Sequence, residues 1–302
     1  MKYPDYHTCY DIMNGALIKY ISALLLFGSN GVVAACIALS SYEIVFFRTL
    51  TGSLLLIGIF LILRGKLTFP EKKREFAFLV VSGITMGASW MFLYEAYQQI
   101  GVSLSSLLYY CGPVIVMVLS PLLFREKLTR QKTAGFIAVL FGIVLVNGQA
   151  LFTGTITFGL FCGAMSAVMY AAMVIFNKKA GKITGLENSM LQLLFSFLTV
   201  FVFTGVFKGF AFEIAGGDLL PLLFLGVVNT GIGCYLYFSS IGRLPVQTVA
   251  ICGYLEPLSA VFFSVLLLGE VIGPVQIIGA VFILGGAILG EVSGFRKSIN
   301  KE

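Results

Sequence analysis

The sequence predicts an all-α polytopic membrane protein: ten transmembrane helices, forming two inverted five-helix repeats around a central cavity. Three observations carry this. Of 302 residues, 58% are hydrophobic and only 11% charged, with a mean hydropathy of +0.97, whereas soluble domains carry about 25% charged residues. The apolar runs are long and helix-like, unlike the alternating segments of ~10 residues that barrel strands require. The chain also repeats itself. Sliding residues 110–145 onto 254–289 gives ten identities in 36 positions.

Cutting at charge and turn signals places the spans near 18–39, 43–63, 76–98, 103–124 and 133–150, then 157–177, 187–207, 218–240, 247–268 and 274–292. Each can cross a hydrocarbon core of ~30 Å at ~1.5 Å per residue. The first run, Ile18 to Leu39, is too long for a signal-peptide core and lacks an A-x-A-like exit, so it reads as a span. Short linkers make neighbouring spans antiparallel. The expected units are residues 1–151 and 152–302, five spans each.

With the N-terminus in the cytoplasm, 18 of the 20 Lys and Arg fall in the tails, the inner loops or the span ends beside them. These include "RGKLTFPEKKRE", "REKLTRQK" and "NKKAGK"; only Lys208 lies outside, and Arg48 lies within a span. Cytoplasmic loops carry the excess of Lys and Arg, so both termini are expected inside a plasma membrane. The net charge of +6 then reflects topology and anionic lipid heads, not a nucleic-acid partner. His7 is the sole histidine, and none of the six cysteines forms C-x-x-C. Neither a metal site nor a cofactor is expected, and the spans hold no nucleophile–base constellation for an enzyme.

Within the repeat, Tyr110 matches Tyr254, Pro113 matches Pro257, Glu126 matches Glu270, Gly135 matches Gly279 and Gly142 matches Gly286. An odd number of spans per half inserts the second copy from the opposite side, the build of many secondary transporters, whose site lies near the midplane. Pro113 and Pro257 fall mid-span, where a missing N–H kinks a helix and frees carbonyls. With Gly112 beside Pro113, these are read as gating or kink positions; packing alone is the competing explanation.

Polar residues within the spans are the candidate site. Arg48 would cost about 2.5–3.5 kcal/mol at a span centre. It can pair with Glu43 or Glu95, or clamp a carboxylate through two parallel donors. Glu256, deep in its span, must pair, take a proton or face water. Asn30 and Asn229 invite interhelical hydrogen bonds. Trp90, Tyr94, Tyr110 and Tyr254 are cavity candidates; aromatics near span ends belong to the interfacial belt.

Several stretches resemble the paired EamA-domain permeases of the drug/metabolite transporter superfamily. They are "LLLFGSNGVVA", "FFR" ending at Arg48, "YYCGPVIVMVLSPLLFREKL", and "RLPVQTVAICGYLEPLSAVFFSVLLLGEVIGPVQIIGAVFILGG". The resemblance covers about residues 17–292. It implies ten helices, cytoplasmic termini, a cavity formed by spans one to four and six to nine, and export of amino acids or related metabolites in most members. The proline that such proteins often carry before the second-span Arg is absent from "SSYEIVFFR", where Glu43 stands instead.

The expected function is a secondary transporter, most simply an exporter, that moves a small polar metabolite by alternating access. An amino acid or similar zwitterion fits, with Arg48 meeting a carboxylate and Glu95 or Glu256 an ammonium. The alternative is an organic-cation or drug exporter of the same fold, using those carboxylates and cation–π contacts; a channel or a non-transporting scaffold ranks below both. Lacking a nucleotide motif, the carrier would run on a gradient, with proton coupling through Glu256 as one route. Its partners are a small-molecule substrate and the bilayer; the oligomeric state stays open.

Overall fold

The computed structural model describes residues 6–124, 130–152, 157–241, 252–253 and 255–299, and every regular element among them is helical. The order begins α1 (Tyr6–Gly28), α2 (Asn30–Ala35), α3 (Ser41–Ile62), α4 (Lys73–Ile100) and α5 (Val102–Tyr109). It continues with α6 (Gly112–Phe124), α7 (Arg130–Phe152), α8 (Phe158–Lys179) and α9 (Gly185–Phe207). After α10 (Leu219–Leu223) comes a π-helical stretch, Phe224–Ile232, then α11 (Gly233–Ile241), α12 (Leu255–Leu268) and α13 (Pro274–Ile299).

Among the described residues, six helical segments are long and apolar enough to cross a membrane: Gly15–Ala35, Ser41–Ile62, Lys73–Ile100, Phe158–Lys179, Gly185–Phe207 and Leu219–Tyr237. Four shorter apolar helices, Val102–Val116, Thr133–Gly142, Leu255–Leu268 and Pro274–Gly286, fall within the remaining predicted spans. Large apolar side chains such as Leu61, Ile62, Val202, Val206 and Phe207 are exposed on the outer faces. In water such faces would be a liability; against lipid they are the solvated surface.

Local chemistry sets the ends. Glu43 accepts the Ser40 N–H at 2.8 Å and its hydroxyl at 2.6 Å, opening α3 as in a capping box. Thr157 accepts the Leu160 N–H at 3.3 Å to start α8. Gly101 turns α4 into α5 with φ +80°, and a Cβ there would lie 2.9 Å from the Glu270 carboxylate, so the position suits glycine twice over.

Small residues let the helices close. A Cβ on Gly87 of α4 would meet the Ser196 carbonyl of α9 at 2.7 Å, and one on Gly142 of α7 would meet the Gly279 carbonyl of α13 at 2.6 Å. At the Lys208 end, the Phe46 ring packs at a tilt against Phe212 at 5.0 Å and Phe197 at 5.6 Å, forming an aromatic plug.

Three expected continuous spans are interrupted instead. The first breaks at Ser29, between α1 and α2. The fourth breaks at Tyr110–Cys111, which places Pro113 in the first turn of α6. There its missing N–H leaves no intrahelical bond unmade, so the span is two helices joined by a turn and not one kinked helix. The eighth carries the π-helical stretch. Pro257 lies in the first turn of α12, and Tyr254 lies outside the described residues.

Candidate functional site

The interrupted spans surround one interior space. A cavity of about 250 Å³ is walled by Phe27, Met86, Trp90, Tyr109, Tyr170, Met173, Cys234, Tyr237 and Glu256, among others, and reaches Asn177 and Lys178. Lys178 is exposed, so the mouth lies at the C-terminal end of α8. Just inside it, Asn177 Nδ2 donates to Asn188 at 3.0 Å and to Gln192, while Gln192 Nε2 contacts Met86 Sδ at 3.3 Å.

Behind this cavity is a second chamber of about 20 Å³, lined by Arg48, Tyr97, Ser106, Tyr110, Glu256 and Ala260. Phe27, Asn30, Trp90, Tyr109 and Glu256 line both spaces and therefore form the neck between them. The helix breaks adjoin that neck: Asn30 starts α2, and Tyr109 ends α5 just before the turn at Tyr110–Cys111. Irregular backbone at membrane depth is tolerated where it lines such a space.

Arg48, only 1% exposed, is held without a carboxylate. Its Nε donates to Thr230 Oγ1 at 3.0 Å and its Nη1 to the Tyr94 hydroxyl, while Cζ lies 4.4 Å above the Trp90 ring and 4.8 Å above that of Tyr94. Trp90 and Tyr94 are one turn apart on α4 and so share a face; their rings hold the guanidinium by cation–π contact. Its Nη2 has no hydrogen-bond partner. The Tyr110 hydroxyl faces the Glu256 carboxylate in this chamber.

The anticipated ion pairs of Arg48 do not form. Glu95 bonds to the Ser41 hydroxyl and accepts Gln99 Nε2 at 2.6 Å, and Glu43 pairs with Lys208 at 3.3 Å. The reason is helical geometry: Glu95 follows Tyr94, and successive residues turn by ~100° at 3.6 per turn. With Tyr94 facing Arg48, Glu95 faces the Ser41 end of α3.

Asn229 and Thr230 are adjacent in the π-helical stretch and serve different neighbours. Asn229 Nδ2 donates to the Leu26 carbonyl at 2.9 Å and to Ser29 and Asn30 at 3.0 Å, tying down the first helix break. Thr230 holds Arg48 while its own hydroxyl bonds the Leu225 carbonyl at 2.8 Å, five residues back. π-Helical turns are frequent at functional sites. Gly112 is buried against Tyr170, whose ring a Cβ would approach to 2.5 Å. Sequence reasoning does not single out Thr230, Tyr170, Asn177 or Gln192. The last two carry the clearest signal, since amides cost free energy inside apolar runs.

A polar pocket at the helix breaks of an apolar bundle is transporter architecture, and comparison with known proteins agrees. The EamA-like transporter family model matches twice, over residues 14–148 and 157–290. The chain belongs to the EamA-like transporter family. Two Bacillus subtilis relatives are named "Uncharacterized transporter YxxF", 26% identical with 91% of this chain and 88% of its own covered, and "Uncharacterized transporter YoaV", 25% identical with 83% and 87% covered. A Salmonella typhimurium relative named "Probable amino-acid metabolite efflux pump" is 27% identical, with 64% of this chain and 68% of its own covered. A solved crystal structure shares the fold, with a TM-score of 0.64 at 18% identity over 92% of this chain and 98% of that one. This EamA-like protein is thus a multi-pass membrane transporter.

Proposed function

We propose that this EamA-like transporter carries a small zwitterion, an amino acid or close relative, across the plasma membrane by alternating access. The observation that carries this is the pairing of opposite charges in one small chamber. Arg48 offers an unpartnered buried Nη2, and across the same space stands the Glu256 carboxylate, faced by the Tyr110 hydroxyl. A guanidinium and a carboxylate kept apart match a substrate's carboxylate and ammonium. An isolated buried charge is costly, and a zwitterion relieves both ends.

The ten spans form two inverted repeats with both termini in the cytoplasm. Their close contacts support this: Gly142 packs on the Gly279 carbonyl, and Gly286 packs on that of Gly135. Exchanging the repeat partners maps one contact onto the other. With the Lys-rich loops inside, the mouth at Lys178 faces the cytoplasm, which suits loading for export. The name of the Salmonella typhimurium relative points the same way.

Transport is driven by a proton exchanging with substrate at Glu256. The titratable and charged groups lining the two spaces around it are Arg48, Tyr97, Tyr109, Tyr110, Tyr170, Lys178, Cys234 and Tyr237. The aromatic walls and Glu256 would also suit an organic cation, but they leave the free face of Arg48 unexplained. The test is counterflow in proteoliposomes, with and without a pH gradient. A neutral amino-acid mixture should exchange, and Glu256→Gln should lose at least tenfold in rate or its response to the gradient at equal reconstitution. Wild-type rate and pH response in that variant remove Glu256 from the mechanism; exchange of tetraalkylammonium alone transfers the site to cations.

A further inference from the structure

The two spaces differ in size by an order of magnitude, and this sorts a substrate into parts. Roughly 10–15 Å³ is enough to admit one water. The chamber of about 20 Å³ between Arg48, Tyr110 and Glu256 therefore takes a carboxylate and nothing larger. The neighbouring space of about 250 Å³ takes everything else. Glu256 lines both, so a substrate whose carboxylate reaches Arg48 keeps its ammonium at the neck.

From that anchor the remaining body projects into the larger space. Its walls include Phe27, Met86, Tyr170, Met173 and Val174; amides stand at the neck, where Asn30 is tied to Asn229, and toward the mouth, where Asn177 and Gln192 bond each other. Apolar surface of this kind gains free energy when an apolar group displaces water from it. Methionine and aromatic walls also adapt to irregular shapes. Charge on the side chain would be desolvated there with no opposite charge near the neck except Glu256, which the ammonium already occupies.

We infer that the substrate is a zwitterion with a bulky, uncharged, largely apolar side chain, its head held between Arg48 and Glu256 and its side chain in the Met86–Tyr170–Val174 space. This rests on the zwitterion reading above and adds size selection to it. Glycine and alanine would leave the larger space filled with water. In an apolar pocket a missing methylene already costs about tenfold or more in discrimination.

Trp90 makes the test direct, because it is the protein's one tryptophan and stands in the neck. Its fluorescence in the purified full-length protein reports occupancy without a label. The probes are L-leucine, L-phenylalanine, L-alanine, L-lysine and tetraethylammonium. Leucine and phenylalanine should bind at least tenfold more tightly than alanine or lysine. Val174→Phe, which adds bulk to the larger space away from the head group, should cost the two large ligands at least tenfold and alanine less than twofold. Alanine binding as tightly as phenylalanine, or Val174→Phe weakening all ligands equally, overturns size selection while leaving the zwitterion reading in place. A response to tetraethylammonium with none to any amino acid overturns that reading, and this inference with it.

Discussion

At the α4–α5 turn, the Glu270 carboxylate accepts the Val102 N–H at 2.7 Å and the Ser103 N–H at 2.9 Å. At the other end of the bundle, Glu187 accepts the N–H groups of Thr68 at 2.6 Å and Phe69 at 3.0 Å, and the Thr68 hydroxyl at 2.7 Å. In both places a glutamate late in the chain grips backbone amides of an early segment, through charge-assisted bonds. Their surroundings differ. Glu187 is 7% exposed, whereas Glu270 is half-buried and borders a cleft of about 210 Å³. Water can take the place of the amides at Glu270 far more easily than at Glu187.

Their positions relative to the mouth differ too. Glu187 begins α9, near Asn177 and Lys178, and its grip coexists with an open cavity. Glu270 joins the end of α12 to the start of α5 on the opposite side. A carrier that opens there must separate those two helices, and the Ser103–Ser264 hydroxyl contact beside them. Under the alternating access proposed above, like bonds would serve unlike ends: Glu187 would be a permanent fastening and Glu270 a latch that has to release.

The largest expected effect comes from breaking the fastening. Glu187→Ala removes three hydrogen bonds to a buried carboxylate and should cost roughly 2–4 kcal/mol, given ~1.5–3 kcal/mol for each charged hydrogen bond less the relief of desolvation. Thermal unfolding in detergent measures it. Glu187→Gln, whose amide oxygen still accepts, should recover a good part of the loss. An unfolding temperature for Glu187→Ala equal to that of wild type would mean that the fastening holds nothing.

Next in size is the latch. Glu270→Ala should shift the balance away from the cavity-open form seen here by about 1.5–3 kcal/mol, roughly tenfold to a hundredfold in population. Cys234 is buried in the wall of the large cavity, so its alkylation through the Lys178 mouth reports that form. With the other cysteines replaced, the rate should fall at least fivefold in Glu270→Ala at nearly unchanged unfolding temperature. A fall in stability with no change in alkylation would make Glu270 a second fastening and abolish the comparison.

These contrasts mark where the sequence is readable. Arg48, Glu256, Asn30, Trp90 and Tyr110 stand out in an apolar chain because each is expensive in lipid, and the structure brings all five to the two spaces. Six of the predicted spans correspond to long apolar helical segments, since length and hydropathy are local properties. The partners of the charges are not local. Glu43 and Glu95 are near Arg48 in sequence or depth, yet one meets Lys208 and the other Ser41, because rotation about the helix decides what a side chain faces. Pro113 shows the same limit. A proline signals a break, but whether it bends one helix or opens a new one depends on the turn at Tyr110–Cys111, which follows from packing between helices. The grips of Glu187 and Glu270 on distant amides were likewise invisible, as backbone donors leave no mark in the sequence.

The smallest expected effect separates a third contact from the first two. Glu43 also bridges early and late segments, but through the Lys208 ammonium at 3.3 Å, with the lysine side chain 39% exposed. Its bonds to the Ser40 N–H and hydroxyl stay within its own helix start. Glu43 is buried, but the lysine end of the pair reaches solvent; an ion pair open to water at one end is worth about 1 kcal/mol, and at physiological salt charges are screened beyond ~8 Å. Lys208→Met should therefore leave unfolding within about 1 kcal/mol of wild type, and any difference should fade as salt is raised. The helix start survives because Glu43 keeps Ser40. Cys234 alkylation should also hold within twofold, since the Phe46–Phe212–Phe197 plug still packs across this end without the lysine. A change as large as that of Glu270→Ala, persisting in high salt, would show that the Lys208 bridge is itself a latch, and that Glu270 shares the closed end with it.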